Sequence, residues 1–140
     1  LFKLLQQAAK TSDPKGESIN ITVPSDNLPI FPIQVQSIRR ALINLFTNAI
    51  RYAGKANAQI QIFDDHSEVI IDDNGPGIPR DKRDEVILPF TRLDKSRNSK
   101  TGGTGLGLSI AKNSALNHGG ELILEDSPLG GLRVRLLLPL

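Results

Sequence analysis

Two asparagines and an arginine recur along one side of the helix predicted for residues 34–52. Asn44, Asn48 and Arg51 stand at positions i, i+4 and i+7, which places them on one stripe of an α-helix. Asparagine is a poor helix former and costs on the order of tenths of a kcal/mol relative to alanine. The stripe is explained either by exposure to solvent or by a site where amide oxygens bind a hard cation and Arg51 binds phosphate.

A carboxylate and two glycines follow the strand predicted for residues 68–73. Asp73, Gly75 and Gly77 form an Asp-x-Gly-x-Gly pattern. Glycines let a backbone approach a flat ligand closely, and the carboxylate can accept a hydrogen bond from an exocyclic amine such as that of adenine. The same pattern is typical of a tight turn after a strand, and taken alone it favours the turn.

Glycines also lead directly into the helix that is predicted to reach about His118. Residues 101–108 read Thr-Gly-Gly-Thr-Gly-Leu-Gly-Leu. The N–H groups and dipole of a helix N-terminus attract an anion. No Gly-Lys-Ser/Thr follows, so this is not a Walker loop, and no strand leads directly into it as a dinucleotide fingerprint requires. A flexible linker is the alternative, but the immediate continuation into Leu-Gly-Leu-Ser-Ile favours phosphate binding.

The order and spacing of these segments resemble the catalytic domain of sensor histidine kinases. Asn-x-x-x-Asn-Ala-x-Arg-Tyr is followed by Asp-x-Gly-x-Gly, then Pro-Phe-Thr-Arg, then Gly-Thr-Gly-Leu-Gly-Leu. The resemblance extends from about residue 19 to residue 140 and includes the Gly-Gly-Leu and Leu-Pro segments near the end of the sequence. It implies the Bergerat ATP-binding fold of gyrase-type and mismatch-repair ATPases, with ATP bound between helices and sheet.

The resemblance implies a role for each matching residue in a site for ATP and Mg²⁺. Asn48 would bind Mg²⁺, Asn44 would support the metal or the phosphates, and Arg51 and Arg92 would lie near the phosphates as the remaining catalytic residues. The adenine would lie against Tyr52, Asp73, Gly75, Gly77 and Ile78. Phe90 would anchor the lid over the nucleotide. The triphosphate would be wrapped by Gly103, Thr104, Gly105, Leu106, Gly107 and Leu108.

Asn44 separates the kinases from the hydrolysing members of the superfamily. The resemblance implies that hydrolysing members carry glutamate here as the general base for water, and asparagine cannot take up that proton. The position therefore favours a kinase over an ATP-hydrolysing clamp of the gyrase or mismatch-repair type. A degenerate domain that binds a partner and no nucleotide is a second alternative, which the complete set of binding residues disfavours.

The two histidines, His66 and His118, do not have the sequence context of a phosphoacceptor. His66 falls in a predicted turn and His118 at a predicted helix end, so solvated or capping roles are expected. The resemblance therefore implies a fragment whose acceptor, dimerisation and sensor domains lie elsewhere in the parent. The implied partners are that dimerisation domain and a response regulator. We expect a monomeric cytoplasmic fragment, and a homodimeric parent in the bacterial inner membrane.

Composition indicates one ordinary globular domain. The 140 residues are 39% hydrophobic and carry a net charge of +2, which does not favour nucleic-acid binding, and the aromatic residues are scattered. Cysteine is absent, which excludes disulfides and thiolate metal sites. No stretch approaches the roughly 18 apolar residues of a membrane span.

The predicted elements form an α+β fold. Helices are expected at 1–10, 34–52 and up to about 118, and strands at 19–23, 59–62, 68–73, 121–126 and 132–138. Residues 1–16 would be an N-terminal helix and turn, and residues 79–101 a basic, mobile ATP lid with a helical turn near 84–88. The apolar stripe of the second helix is Val35, Ile38, Leu42, Leu45, Phe46 and Ala49. Together these predict a two-layer α/β sandwich, with a mixed, mostly antiparallel sheet covered on one face by about three helices.

Overall fold

The structure is a computed structural model that describes residues 1–22, 32–88 and 107–140. The elements in these ranges are α1 Phe2–Ser12, β1 Ile19–Thr22, α2 Val35–Ala53, β2 Ala56–Ile62, β3 His66–Asp73, α3 Arg83–Val86, α4 Gly107–Asn117, β4 Glu121–Asp126 and β5 Leu132–Pro139. A single 3-10 turn, Arg80–Lys82, precedes α3. Most of the predicted lid, from residue 89 to residue 101, lies outside the described residues.

The five strands form one mixed sheet in the order β1-β2-β3-β5-β4. β1 pairs with β2 in parallel, and all other neighbours are antiparallel. Alternate side chains of β3 and β5, such as Val69 and Leu136, are buried in a core that α1, α2 and α4 complete. The predicted two-layer α+β fold is therefore confirmed. No helix in the described ranges has both the length and the apolar character needed to cross a bilayer.

Helix α2 is the central element of the helical layer. Its buried stripe contains Ile38, Leu42, Leu45, Phe46 and Ala49, as predicted from their spacing. The prediction was wrong for Val35, which is 46% exposed. Val35 is the first residue of the helix and lies between two exposed glutamines, at the edge of the layer. The helix ends as expected at Gly54, whose φ of 86° is the left-handed conformation that glycine favours.

The strands around the first hairpin are longer than predicted. β2 begins at Ala56 because small buried alanines continue its pairing with β3, opposite Asp73 and Ile71. β3 begins at His66, which the sequence placed in the turn. The N–H of Phe63 donates to the carbonyl of His66 at 2.8 Å, so the turn closes before that residue. The helical turn expected near 84–88 begins one residue earlier and ends two residues earlier, at Arg83–Val86.

Candidate functional site

The asparagine stripe of α2 meets the first residue of α4. A Cβ atom placed on Gly107 would lie 3.4 Å from Oδ1 and 3.5 Å from Nδ2 of Asn48. Asn44 and Asn48 are half-buried, whereas Arg51 is exposed near the end of the helix. The first and third sequence segments are therefore brought together, as the resemblance implies.

The opposite end of the seam between α2 and α4 is also polar. The hydroxyls of Ser37 and Ser114 are 2.6 Å apart. Nε2 of His118 accepts a hydrogen bond from the backbone N–H of Gln34 at 2.9 Å, while Nδ1 lies 2.7 Å from the carbonyl oxygen of Ser114 and donates to it. His118 therefore links the residue that precedes α2 to the last turn of α4, where its bond to Ser114 fits the expected capping role and the Nδ1–H tautomer.

The end of β3 lies beside the last turn of α2. Asp73 is the pairing neighbour of Ala56, which follows α2 after a two-residue connection. With its amide nitrogen turned towards them, Asn74 donates to the carbonyls of Ala53 at 2.8 Å and Lys55 at 3.3 Å. The second segment is thus tied to the part of α2 that carries Arg51. The side chain of Tyr52, which follows Arg51, lies outside the described atoms.

Asp73 is held in one orientation by two backbone donors. The residue is only 8% exposed. Oδ1 accepts hydrogen bonds from the N–H groups of Gly75 and Leu132, each at 3.0 Å. No donor within the described ranges bonds to Oδ2. The fold therefore uses one oxygen of the carboxylate, and the other has no donor in the part of the chain that the structure describes.

The segment after the two glycines is anchored to the far edge of the sheet. Gly77 has a φ of 71°, which a residue with a side chain rarely adopts. Nε of Arg83 donates to the carbonyl of Ile78 at 3.0 Å, and its guanidinium pairs with Asp126 at the end of β4. The hydrogen bond from Arg83 is the main cause that lowers the pKa of Asp126. This anchor positions Ile78, which packs against the core.

The aspartate next to Asp73 faces the opposite side of the sheet. Asp72 accepts two hydrogen bonds from Arg133, at 2.7 and 2.9 Å, and this contact is the main cause that raises the pKa of the guanidinium. Farther along the same face, Arg135 bonds to Glu68 at 3.0 and 2.7 Å and to Glu125 at 2.7 Å. Both carboxylate oxygens of Asp72 are therefore bonded to Arg133 in an ion pair. Asp73 instead lies on the face of the sheet that packs against the helices.

The oxygen donors near α4 suit a magnesium ion that arrives with its nucleotide. Within the ranges that the structure describes, no group of three or more His, Asp or Glu side chains could hold a metal. The amide oxygens of Asn44 and Asn48 are hard donors, and Mg²⁺ in nucleotide sites commonly uses few protein ligands together with substrate phosphates. These residues fit Mg²⁺ bound with a triphosphate.

The described residues place about half of the predicted site in two groups. Asn44, Asn48, Gly107 and the buried Leu108 lie along the seam between α2 and α4, and Asp73 and its glycines lie at the end of β3. Phe90, Arg92, Gly103, Thr104, Gly105 and Leu106 lie outside the described residues. The sequence reasoning missed the contributions of Arg83, Asp126, Gly131 and Leu132. These residues act through contacts between distant segments, which no local pattern indicates.

In the described ranges, the five-stranded sheet and the helical layer that covers it define a two-layer α+β domain. Residues 33–140 match the family described as histidine kinase-, DNA gyrase B- and HSP90-like ATPase, and the chain belongs to this family.

Curated relatives of the chain are sensor proteins of bacteria. The sensor histidine kinase CpxA of Escherichia coli K12 is 35% identical over 139 residues, which are 99% of this chain and 30% of CpxA. The sensor protein RstB of the same organism is 38% identical over 109 residues, which are 77% of this chain and 25% of RstB. The chain therefore spans less than a third of the length of these relatives.

Solved structures share the fold. The catalytic domain of histidine kinase ThkA superposes with a TM-score of 0.80 at 26% identity, covering 99% of this chain and 92% of the other. The ATP-binding domain of PrrB from Mycobacterium tuberculosis superposes with a TM-score of 0.76 at 29% identity, covering 98% and 91%.

Proposed function

We propose that the chain binds ATP with Mg²⁺ and transfers the γ-phosphoryl group to a histidine on the dimerisation domain of a longer sensor kinase. A response-regulator aspartate would then receive the phosphoryl group. Two contacts carry this proposal: Asn48 of α2 lies against Gly107 of α4, and Asn74, next to Asp73, bonds to the end of α2. The family membership and the relatives named as sensor kinases support it. The parent would be a homodimer of the bacterial inner membrane, with this domain on its cytoplasmic side.

The phosphates would bind at the beginning of α4. The N-terminus of an 11-residue helix presents the positive end of its dipole to an anion. Asn48 lies against that N-terminus, and Arg51 is exposed one turn farther along α2. The amide oxygen of Asn48 would hold Mg²⁺ there and Asn44 would support the metal or the phosphates, and the metal would supply charge neutralisation. Positioning and neutralisation supply most of the rate in phosphoryl transfer.

The adenine would bind at the end of β3. Oδ2 of Asp73 is the acceptor that its exocyclic amine would use, since Oδ1 already accepts two backbone hydrogen bonds. The glycines at 75 and 77 would let the backbone approach the base, and the half-buried Ile78 would provide an apolar contact. Arg83 and Asp126 would support this wall without touching the nucleotide.

Transfer to a histidine is favoured over hydrolysis because Asn44 supplies no base. A carboxylate at this position would activate water, whereas a neutral amide does not accept a proton at neutral pH. The phosphoryl group should therefore persist until a protein nucleophile reaches it. This argument favours the kinase over the ATP-hydrolysing clamp.

Calorimetric titration with Mg-ATP, together with a steady-state ATPase assay, tests the proposal. We expect saturable binding of one ATP per chain and hydrolysis that is slow for an enzyme of this family. The Asn44→Glu variant is measured beside the unaltered chain, because it places a carboxylate at the position of the missing base. Rapid hydrolysis by the unaltered chain would support the clamp, and failure to bind Mg-ATP would support the degenerate domain.

A further inference from the structure

The backbone of the turn between β4 and β5 lies against the carboxylate of Asp73. The N–H of Ser127 donates to the carbonyl of Gly131 at 2.8 Å, and the N–H of Gly130 donates to the carbonyl of Ser127 at 3.0 Å. The Ser127 hydroxyl oxygen also accepts a hydrogen bond from the N–H of Leu129 at 3.0 Å. The turn is therefore closed by its own hydrogen bonds, and Arg83 holds the adjoining Asp126. Its backbone is a fixed surface against which the end of β3 is placed.

Gly131 lies too close to Asp73 for any side chain. A Cβ atom at this position would be 2.1 Å from Oδ1 of Asp73, 2.6 Å from the Asp73 carbonyl oxygen and 2.6 Å from the nitrogen of Gly75. Two of these atoms belong to the backbone and cannot rotate away. The carbonyl oxygen of Gly131 also lies 3.4 Å from the position of a Cβ on Gly77. Gly131 is therefore required by close approach to the aspartate and to both glycines that follow it.

The close approach determines which oxygen of Asp73 is available. Leu132 follows Gly131 directly, and its N–H reaches Oδ1 at 3.0 Å only because no side chain intervenes. With Oδ1 fixed by this donor and by Gly75, the carboxylate cannot rotate freely, and Oδ2 keeps one direction. We propose that Gly131 is a positioning residue that sets nucleotide selectivity at the base, by holding Asp73 ready for an exocyclic amine. This inference rests on the proposed ATP site and adds a residue of the β4–β5 turn to it.

ATP and ITP separate the base contact from the phosphate contacts, because ITP carries a carbonyl oxygen where ATP has its amine. The unaltered chain should prefer Mg-ATP to Mg-ITP. Gly131→Ala should weaken ATP binding by roughly tenfold or more, the effect expected when a hydrogen bond to a charged group is lost. ITP binding should change much less, so the ratio of the two affinities should fall towards one.

Gly130→Ala is the matched control in the same turn. A Cβ on Gly130 meets nothing within 4 Å, but the φ of 99° strains any side chain there. This variant should therefore lower the melting temperature and leave the ATP to ITP ratio unchanged. If Gly131→Ala loses stability and keeps the ratio of the unaltered chain, the role of Gly131 is only structural and the inference is overturned.

A double variant tests whether Gly131 acts through Asp73. In an Asp73→Ala background, the further change Gly131→Ala should leave the ATP to ITP ratio unchanged, because the carboxylate that distinguishes the two bases is already absent. Both affinities can still fall together, since the added Cβ meets the backbone of Asp73 and Gly75. A further change of the ratio in the double variant would contradict the mechanism.

Amide hydrogen exchange keeps the inference testable even if Gly131→Ala does not fold. Asp73→Ala should accelerate exchange of the Leu132 amide roughly tenfold, while the Leu136 amide in the middle of β5 keeps its protection. Unchanged protection of Leu132 would remove the contact on which the inference depends. This measurement needs no nucleotide. Failure of the unaltered chain to bind ATP would therefore refute the proposed function separately from this contact.

Discussion

Asp73 combines a structural and a proposed ligand-binding role in one carboxylate, and two substitutions separate them. Asp73→Asn can keep an oxygen towards Gly75 and Leu132, but it then presents an amide donor in place of Oδ2. We expect ATP affinity to fall roughly tenfold or more, with a small loss of stability. Asp73→Ala should lower affinity similarly and also lower the melting temperature, because the buried N–H of Leu132 and the half-buried N–H of Gly75 lose their acceptor. Unchanged ATP affinity in calorimetry of Asp73→Asn would refute the adenine role.

Asn48 is the residue whose helix position is most costly without a function. Asn48→Ala should raise helix stability by a few tenths of a kcal/mol, by about 0.5 at most, from propensity alone. The affinity for ATP in the presence of Mg²⁺ should nevertheless fall, and the dependence of binding on Mg²⁺ concentration should weaken. Titrations with and without Mg²⁺ measure both effects. A higher melting temperature with unchanged Mg²⁺-dependent affinity would instead favour the solvated-face interpretation of the stripe.

His66 is less exposed than the sequence indicated, and it introduces a pH dependence of stability. Its ring stacks on Phe63 at 4.6 Å, and its two nitrogens lie 2.6 Å from Asp65 and 3.0 Å from Glu68. The hydrogen bond to Asp65 is the main cause that raises the pKa of His66 above its usual 6.5, and the bond to Glu68 adds to it. The folded protein therefore favours the imidazolium form.

The sign of this effect follows from the raised pKa. Stabilisation by His66 should be complete below about pH 6.5 and lost as the pH rises through the higher pKa of the folded state. His66→Gln should therefore lower the melting temperature more at pH 6 than at pH 9. Arg135 also faces Glu68, so the acidic partner remains charged throughout this range. A difference between variant and parent that does not change with pH would contradict the ion pair.

The residues of the site could be predicted to different degrees. Local patterns indicated three of them. Asn48 is an unfavourable residue inside a helix, Asp73 is followed closely by two glycines, and Gly107 begins a helix. Gly131 also stands in a glycine pair, but its reason is a contact with a residue 58 positions earlier, which no local spacing indicates. Arg83 and Asp126 were missed for the same reason.

At the scale of elements, helices with long apolar stripes were predicted closely, and strand ends less so. The predicted helix 34–52 differs from α2 by one residue at each end, because its stripe and Gly54 both mark the limits. β2 was predicted too short because alanines at 56 and 58 carry little strand signal, although both are buried. Pairing with β3 decides their conformation, and pairing is a tertiary property.

His118 couples two elements that both contribute to the proposed site. It accepts a hydrogen bond from the N–H of Gln34, just before α2, and donates one to the carbonyl of Ser114 in α4. It therefore joins these two helices at the end of their contact that is farther from Asn48 and Gly107. His118→Ala should lower the free energy of unfolding by about 1 kcal/mol, the usual effect of losing a helix cap. Urea denaturation measures the change, with the exposed neighbour Asn117→Ala as control. Equal stability of the two variants would show that water replaces the histidine.

At the scale of the whole molecule, strand order is what completes the site. β5 lies between β3 and β4, so the turn that leads into β5 lies beside the end of β3 that carries Asp73. The two-layer class and the mostly antiparallel pairing could be predicted from hairpin-like spacing. The order of strands, the parallel pairing of β1 with β2 and the placement of the β4–β5 turn depend on contacts between distant segments, which no local pattern indicates.

The isolated chain should bind ATP without becoming labelled by [γ-³²P]ATP. Both of its histidines are engaged by the fold, His66 between two carboxylates and His118 between Gln34 and Ser114. Asn44 supplies no base for water, so the bound donor should remain intact until an outside nucleophile arrives. A dimerisation domain with its helical histidine, added in trans, should become labelled. Transfer should be slower than in a tethered parent, because separation removes the effective concentration that a linker provides. Acid-labile label on the chain alone, lost in His66→Gln or His118→Ala, would show that the acceptor lies within these 140 residues.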